Sequence, residues 1–377
     1  MSYTGEDVVE FQSHGGPVVS EWLLGTILAA GARAAAPGEF TLRAFLNDKL
    51  DLTQAEAVAD LVASGSRAAA RAALRSLTGR FSAAVDAIQA KLMRVRVHIE
   101  AHLDFPDEDI DPATSAAIHG EMAELAKSIA ELLADARQGV VLRDGLNIAI
   151  VGPPNAGKSS LLNRLAGHDA AIVTDVPGTT RDTLRERIVL DGLPVHVVDT
   201  AGMRNTDDPI EKEGVRRARL ETGRADLVLW LGDVREGLPH IAAGACAALG
   251  SEVPYTLVVN KLDLAPDVAL PGHVDRVPVI GISALTGAGM EALLRHLKSC
   301  AGLTDAAAGT FSARRRHLAA IERAAAALAD ARTHVPSELE LAAEDLRGVQ
   351  AALGELTGEV SSDDLLGEIF SNFCIGK

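Results

Sequence analysis

Cysteine is nearly absent from this 377-residue chain: Cys246, Cys300 and Cys374 are widely scattered and show no CxxC spacing. That excludes a disulfide framework and a structural zinc site, and it points to a reducing compartment, the cytoplasm. Aromatic residues are also scarce, at 3%. Positive charge is outnumbered, with 36 Lys and Arg against 52 Asp and Glu for a net charge of −16. The chain as a whole therefore repels nucleic acid, and any RNA or phosphate contact needs a local patch or backbone N–H groups. No uncharged run provides the ~18 apolar residues that span a bilayer. Met1 is followed by Ser-Tyr-Thr-Gly-Glu-Asp, which is neither basic nor apolar. Neither a transmembrane helix nor a signal peptide is expected. Cys374-Ile-Gly-Lys377 has the form of a prenylation box, but Gly and Lys are poor in its last two places.

What is present is an alanine-rich composition, 47% hydrophobic and 23% charged, that suits a soluble globular protein of two or three domains. The first fifty residues mix a strand-like stretch over 7–12, the turn His14-Gly-Gly-Pro17 and a helix-compatible run over 18–30, as in part of an α+β unit. Thr53-Gln-Ala-Glu56 reads as a capping box that opens a helical run, which resumes after Gly65 and continues to about residue 142. The acidic, Pro-bounded stretch 105–112 reads as a connection between two helices.

From Leu146 the texture changes to strands alternating with helices, the signature of a mostly parallel α/β sheet. Strands are predicted over 146–151, 185–190, 194–198, 227–231, 255–259 and 277–282, and a helix over 290–299 closes the block. Asp191-Gly192 predicts a tight hairpin and hence one antiparallel strand. Helices return over 313–334, 337–356 and from 362 onward, so an α/β domain sits inside a discontinuous helical one.

Gly152-Pro-Pro-Asn-Ala-Gly157-Lys158-Ser159 fits GxxxxGK[ST], directly after a strand and before a helix. In that setting backbone N–H groups wrap phosphates, Lys158 reaches the β- and γ-phosphates, and Ser159 offers a hydroxyl to Mg²⁺. Asn260-Lys261-Leu262-Asp263 fits the guanine-reading NKxD pattern, and Ser283-Ala284-Leu285 the supporting base loop. Asp263 can accept from both N–H groups on one edge of guanine, which adenine cannot match; a hydrogen-bonded reader of this kind rejects mismatches by roughly 10⁴-fold. Asp199-Thr200-Ala201-Gly202 fits the Walker B and switch segment, and Gly178-Thr179-Thr180-Arg181-Asp182 the preceding switch. Together these segments identify a GTPase. Met203 stands where many GTPases carry a water-orienting glutamine, so the hydrolytic machinery must come from elsewhere. A monovalent cation beside Asn155 could fill the electrostatic role.

These motifs, with Tyr3-Thr-Gly-Glu-Asp, Phe11-Gln-Ser-His-Gly-Gly-Pro17, the run from Pro37-Gly-Glu-Phe to Leu50-Asp-Leu52 and the terminal Phe373-Cys-Ile-Gly-Lys377, closely resemble the tRNA-modification GTPase family MnmE, also called TrmE. The resemblance covers essentially the whole chain. It implies a partial tetrahydrofolate-binding and dimerisation domain over 1–50, helical parts over 51–143 and 303–377, and a Ras-like P-loop GTPase domain over 144–302 inserted between them. A family stretch ahead of the Tyr3 position has no counterpart in this chain. The implied GTP contacts are Asn155, Ala156, Gly157, Lys158, Ser159 and Ser160; Thr174, Asp175, Val176, Pro177, Gly178, Thr179 and Thr180; Asp199 to Gly202; Asn260 to Asp263; and Ser283 to Leu285. Ser159 and Thr180 match Mg²⁺ ligands, while Asn155, Thr174, Val176 and Thr179 match the potassium site.

Glu211 matches a switch glutamate that acts through water, and joins Asn155 and Lys158 in the catalytic set. Glu10, Lys49 and Lys377 match folate contacts, and Cys374 is either a functional thiol or a small apolar filler. Arg314, Arg315 and Arg316, with Arg67, Arg71 and Arg75, are the basic candidates for tRNA contact, although solvated helix faces are the better account of both sets. The family works as a homodimer with the FAD protein MnmG on tRNA, with methylene- or 5-formyl-tetrahydrofolate as the carrier. An Era-like ribosome-assembly GTPase and a nucleotide-regulated scaffold are the competing readings.

Overall fold

The computed structural model describes residues 2–104, 112–167, 185–199, 225–249, 254–302, 310–335, 337–359, 363–371 and 373. They form two compact units: Met1–Ser64, Ala70–Arg137 and Thr310–Lys377 make up the first, and Gly65–Ala69 and Gln138–Gly309 the second.

Helices build the first unit: α1 (Pro17–Ala29), α2 (Glu39–Leu46), α3 (Leu52–Ala63), α4 (Arg67–Leu77), α5 (Arg80–Asp104) and most of α6 (Pro112–Asp144). Three further helices return from the far end of the chain, namely α10 (Arg315–His334), α11 (Leu339–Thr357) and α12 (Asp363–Ser371). Apolar residues at helical spacing fill the interior, among them Leu92, Val95 and Ile99 of α5, Ile321 and Leu328 of α10, and Leu346 and Leu353 of α11. A smaller cluster joins Leu52 and Ala55 to Ile369, Phe370 and Phe373. Helix α1 differs from the rest. It buries none of its residues, and Val18 and Trp22 are each 77% exposed.

Several local expectations change. Residues 7–12 form no strand. The capping box of α3 is Asp51 with Gln54, because Asp51 accepts from the Gln54 N–H while the Gln54 side chain accepts from the Asp51 N–H. Thr53 lies inside the first turn, and Glu56 is buried for another purpose described below. Arg314 and Arg316 lie on no solvated face: both are ion-paired with buried carboxylates. The predicted connection at 105–111 lies outside the described residues.

A seven-stranded mixed sheet forms the second unit, made of β1 (Leu146–Val151), β2 (Arg185–Leu190), β3 (Leu193–Asp199), β4 (Leu227–Asp233), β5 (Tyr255–Asn260), β6 (His273–Val274) and β7 (Val277–Gly281). Their order is β2-β3-β1-β4-β5-β7-β6, with β2 and β6 antiparallel to their neighbours. The β2–β3 turn is the expected Asp191-Gly192 hairpin, both residues at positive φ. Alternate side chains serve opposite faces. Leu229 and Leu231 pack with α7 (Lys158–Ala166) and α9 (Met290–Cys300), whereas Trp230 packs with α8 (Leu238–Leu249). Five parallel strands thus end along one edge, and the loop after β1 leaves beside the point where the strand order reverses. Ligands bind at such a place in open α/β sheets.

Candidate nucleotide-binding site

The loop after β1 is shaped by two glycines. Gly152 has φ 154°, and a Cβ there would lie 2.2 Å from the Leu231 carbonyl oxygen; Gly157 has φ 100°, and its Cβ would lie 2.3 Å from Asn260 Nδ2. Only glycine fits either place. Gly157 leads into α7, whose free N–H groups and positive dipole end suit a bound phosphate. Lys158 folds back, its Nζ donating to Gly152 O and Pro153 O at 2.8 Å each. The ammonium is thereby held beside the loop that phosphates would occupy.

Side chains from β5 and the loop after β7 tie into this loop. Asn260, 2% exposed, donates through Nδ2 to Ala156 O at 2.8 Å and accepts at Oδ1 from the Ala284 N–H at 3.0 Å. One amide therefore spans three segments. Lys261, in the left-handed region at φ 65°, donates through Nζ to Asn155 O at 2.8 Å and to Asp233 Oδ2 at 2.7 Å. Ser283, fully buried, donates to Asp263 Oδ1 and accepts from the Thr286 N–H, which fixes the exposed Asp263 carboxylate. A cavity of about 950 Å³ lies between these groups, with Ser160 and Arg164 of α7 on one wall and Lys261, Asp263 and Leu285 on the other. That volume suits a nucleotide.

Two contributors escaped the sequence reading. Arg164 donates through Nε to Ala284 O at 3.1 Å and through Nη2 to Leu285 O, holding the base loop against α7. Asp233 ends β4 as a buried acid beside Asn260 in the parallel register. The Arg235 guanidinium, with Lys261 assisting, holds its carboxyl well below the usual range against the opposing push of burial. Asp233 left one legible signal, an acidic residue closing an apolar run; Arg164 left none.

The oxygen donors can be matched to ions. Ser159 is exposed on the first turn of α7, and Asp199 ends β3 opposite Ile150 in the register, close in the sheet to the start of the phosphate loop. The Ser159 hydroxyl is a hard donor of the kind Mg²⁺ takes. Asn155, exposed at φ 63°, is the single member of the potassium set among the described residues. Thr174, Asp175, Val176, Pro177, Gly178, Thr179, Thr180, Thr200, Ala201, Gly202, Met203, Glu211, Cys374 and Lys377 lie outside them. Glu10 and Lys49 are both exposed, so these two side chains offer a folate no enclosed cradle. No helix among the described residues is long and apolar enough to cross a membrane.

A glycine loop at a helix N-terminus, facing an Asn-Lys-x-Asp loop across one cavity of a sheet with this strand order, defines the class of P-loop guanine-nucleotide-binding proteins. Residues 52–374 match the family model for the MnmE helical domain, and residues 1–49 that for the GTP-binding protein TrmE N-terminus. The tRNA modification GTPase MnmE of Alkalilimnicola ehrlichii is 54% identical over 100% of this chain and 84% of its own length; that of Nitrosococcus oceani is 51% identical over 100% and 82%. Among solved structures, Aquifex aeolicus Era Y63A bound to GDP.AlF4- is 27% identical, covering 48% of this chain and 66% of its own, with a TM-score of 0.33, a likeness too partial to bear on function. The chain belongs to the MnmE family of tRNA modification GTPases.

Proposed function

We propose that this chain hydrolyses GTP to GDP and phosphate in the modification of the tRNA wobble uridine, as the GTPase half of a system whose other half is the FAD protein MnmG. The observation that carries the nucleotide assignment is the Asp263 carboxylate, oriented by buried Ser283 and facing the same cavity as the phosphate loop. Asp263 would accept from the two N–H groups on the guanine edge. Lys158, released from Gly152 O and Pro153 O, would turn to the β- and γ-phosphates, and backbone N–H groups at the start of α7 would take phosphate oxygens. Ser159 and Thr180 would hold Mg²⁺, with Asp199 near its shell, and the ion would supply neutralisation of phosphate charge.

Asn155, with Thr174, Val176 and Thr179, would hold potassium, and Glu211 would orient the attacking water in place of the glutamine that Met203 replaces. Support for these finer assignments comes from the motif match alone. The same holds for the homodimer, for the folate contacts Glu10, Lys49 and Lys377, for Cys374, and for addition of a carboxymethylaminomethyl or aminomethyl group at C5 of uridine. Identity of 51–54% to relatives named tRNA modification GTPase favours this reading over ribosome assembly.

Asp263→Asn tests the base reader: preference is expected to move from GTP toward xanthosine triphosphate, and an unchanged preference would sink the assignment. Hydrolysis is expected to run several-fold faster in potassium than in sodium; equal rates remove the role given to Asn155. Titration with 5-formyl-tetrahydrofolate tests the folate assignment separately, and absence of binding removes Glu10 and Lys49 from the site.

A further inference from the structure

Asp233 is 5% exposed, at the C-terminal end of β4, and in the parallel register it lies opposite Asn260. A buried carboxylate persists only where charges or donors meet it. Its two oxygens have separate duties. Oδ1 accepts the Arg235 N–H at 3.0 Å and so caps the short 3-10 turn Val234–Glu236, while Oδ2 accepts Lys261 Nζ at 2.7 Å. The Arg235 guanidinium adds a forked contact from the solvent side, where its side chain is 62% exposed.

Lys261 is the residue most in need of such a partner. Its backbone is in the left-handed region, and its ammonium sits on a flexible four-carbon stem that keeps many rotamers when nothing fixes it. Here the ammonium is pinned at two points, Asp233 Oδ2 and the carbonyl of Asn155 in the phosphate loop. Lys261 is also one of the residues that line the cavity.

We propose that Asp233 is a positioning residue for nucleotide binding: its buried carboxylate holds the Lys261 ammonium on the Asn155 carbonyl and thereby locks the base-reading loop to the phosphate loop before nucleotide arrives. Asp233 touches no part of the ligand cavity itself; it acts through Lys261. Without it the lysine loses its fixed end, the Asn155 carbonyl loses a steady donor, and the two loops must be ordered by the nucleotide at the cost of affinity. The inference rests on the guanine-nucleotide reading of this cavity.

The test is a double-mutant cycle on GDP and GTP binding with the full chain. Asp233→Asn keeps an acceptor for the Arg235 N–H but removes the charge and the second acceptor, the one that faces Lys261; Lys261→Met keeps the stem and removes the ammonium. Asp233→Asn is expected to weaken GDP and GTP by about the same factor, roughly tenfold, the size of one charge-assisted hydrogen bond. In the Lys261→Met background the same substitution is expected to change affinity by less than about twofold, the signature of coupled residues. Asp233→Glu, which retains the charge, is expected to restore part of the loss and serves as the second arm if the asparagine variant does not fold. Equal losses in both backgrounds, or no loss in a folded Asp233→Asn protein, overturn the proposal. Should the glutamate variant be the only Asp233 variant that folds, affinity no better in it than in Lys261→Met overturns it as well. A wild-type chain that binds no guanine nucleotide defeats the site assignment instead, so the two failures are told apart.

Discussion

Arg316 grips Glu56 at two points, Nε on Oε1 and Nη2 on Oε2, both at 2.8 Å, although the residues are 260 positions apart in the chain. The Glu56 side chain is 1% exposed. Its second oxygen also accepts His317 Nε2 at 2.8 Å, while Arg314 reaches Asp60 at 2.8 Å and the Glu56 carbonyl at 3.2 Å. Burial disfavours the charge on Glu56, but the His317 and Arg316 hydrogen bonds outweigh it and keep the carboxyl below its usual range. A paired charge in this setting becomes costly when one partner is lost.

Glu56→Gln is accordingly expected to destabilise the helical unit by about 3 kcal/mol, because the largely covered Arg316 guanidinium, 21% exposed, loses its Glu56 counterion. Urea unfolding monitored by far-UV circular dichroism measures it. A change below about 1 kcal/mol would show that water or relaxation meets Arg316 adequately.

Acid should act on the same cluster through His317. Burial pushes this imidazole below its ordinary range, and its Nδ1 accepts the Arg314 N–H, so the ring is neutral with its proton on Nε2. The unfolded chain binds a proton near pH 6.5, and the folded one resists it. Stability is therefore full above about pH 6.5 and falls as pH drops below it, by up to about 1.4 kcal/mol per pH unit for one proton. His317→Gln, which keeps a donor for Glu56, is expected to flatten the stability profile between pH 7 and 5; an unaltered slope would place the acid sensitivity elsewhere.

Gly157→Ala should weaken nucleotide binding strongly with little effect on the helical unit. The new methyl would be 2.3 Å from Asn260 Nδ2 on a backbone at φ 100°, so the loop must move or Asn260 must let go of Ala156. Loss of GTP affinity of at least about tenfold is expected by isothermal titration, and ordinary affinity would show that the loop can relax freely.

Asn260→Ala removes two buried hydrogen bonds at once and leaves the Ala156 carbonyl and the Ala284 N–H without that partner. The cost expected for the sheet unit is about 2–3 kcal/mol, with weaker guanine-nucleotide binding alongside. Thermal unfolding with and without GDP separates the two effects, since lost binding reduces the ligand-induced rise in midpoint.

The phosphate loop was legible in the sequence because its physics is local: Gly152, Gly157, Lys158 and Ser159 act through backbone conformation and a helix start within eight residues. The strands were equally plain, since continuous apolar runs such as Leu227 to Leu231 have few other places to go. Asp233 and Arg164 were not, because each acquires its role only when strand order brings it to Lys261 or to Ala284. The basic triplet misled for the same reason. Arg314 and Arg316 look like a solvated face until Glu56 and Asp60, some 250 residues earlier, are placed against them. Helix α8 went unpredicted because Pro239 and Gly244 obscure its period.

The 260-residue separation of Glu56 and Arg316 also sets a clock. At about 5–20 residues per second of synthesis, Glu56 leaves the ribosome on the order of 10–50 s before its counterion exists. Within that interval nearly all of the sheet unit, which ends at Gly309, is made, whereas helix α3 must wait with a carboxylate whose partner does not yet exist. The order of synthesis is thus written into the connectivity: the inserted unit is made first, and the helical unit around the Glu56 cluster can close only once the segment from Thr310 onward has been made.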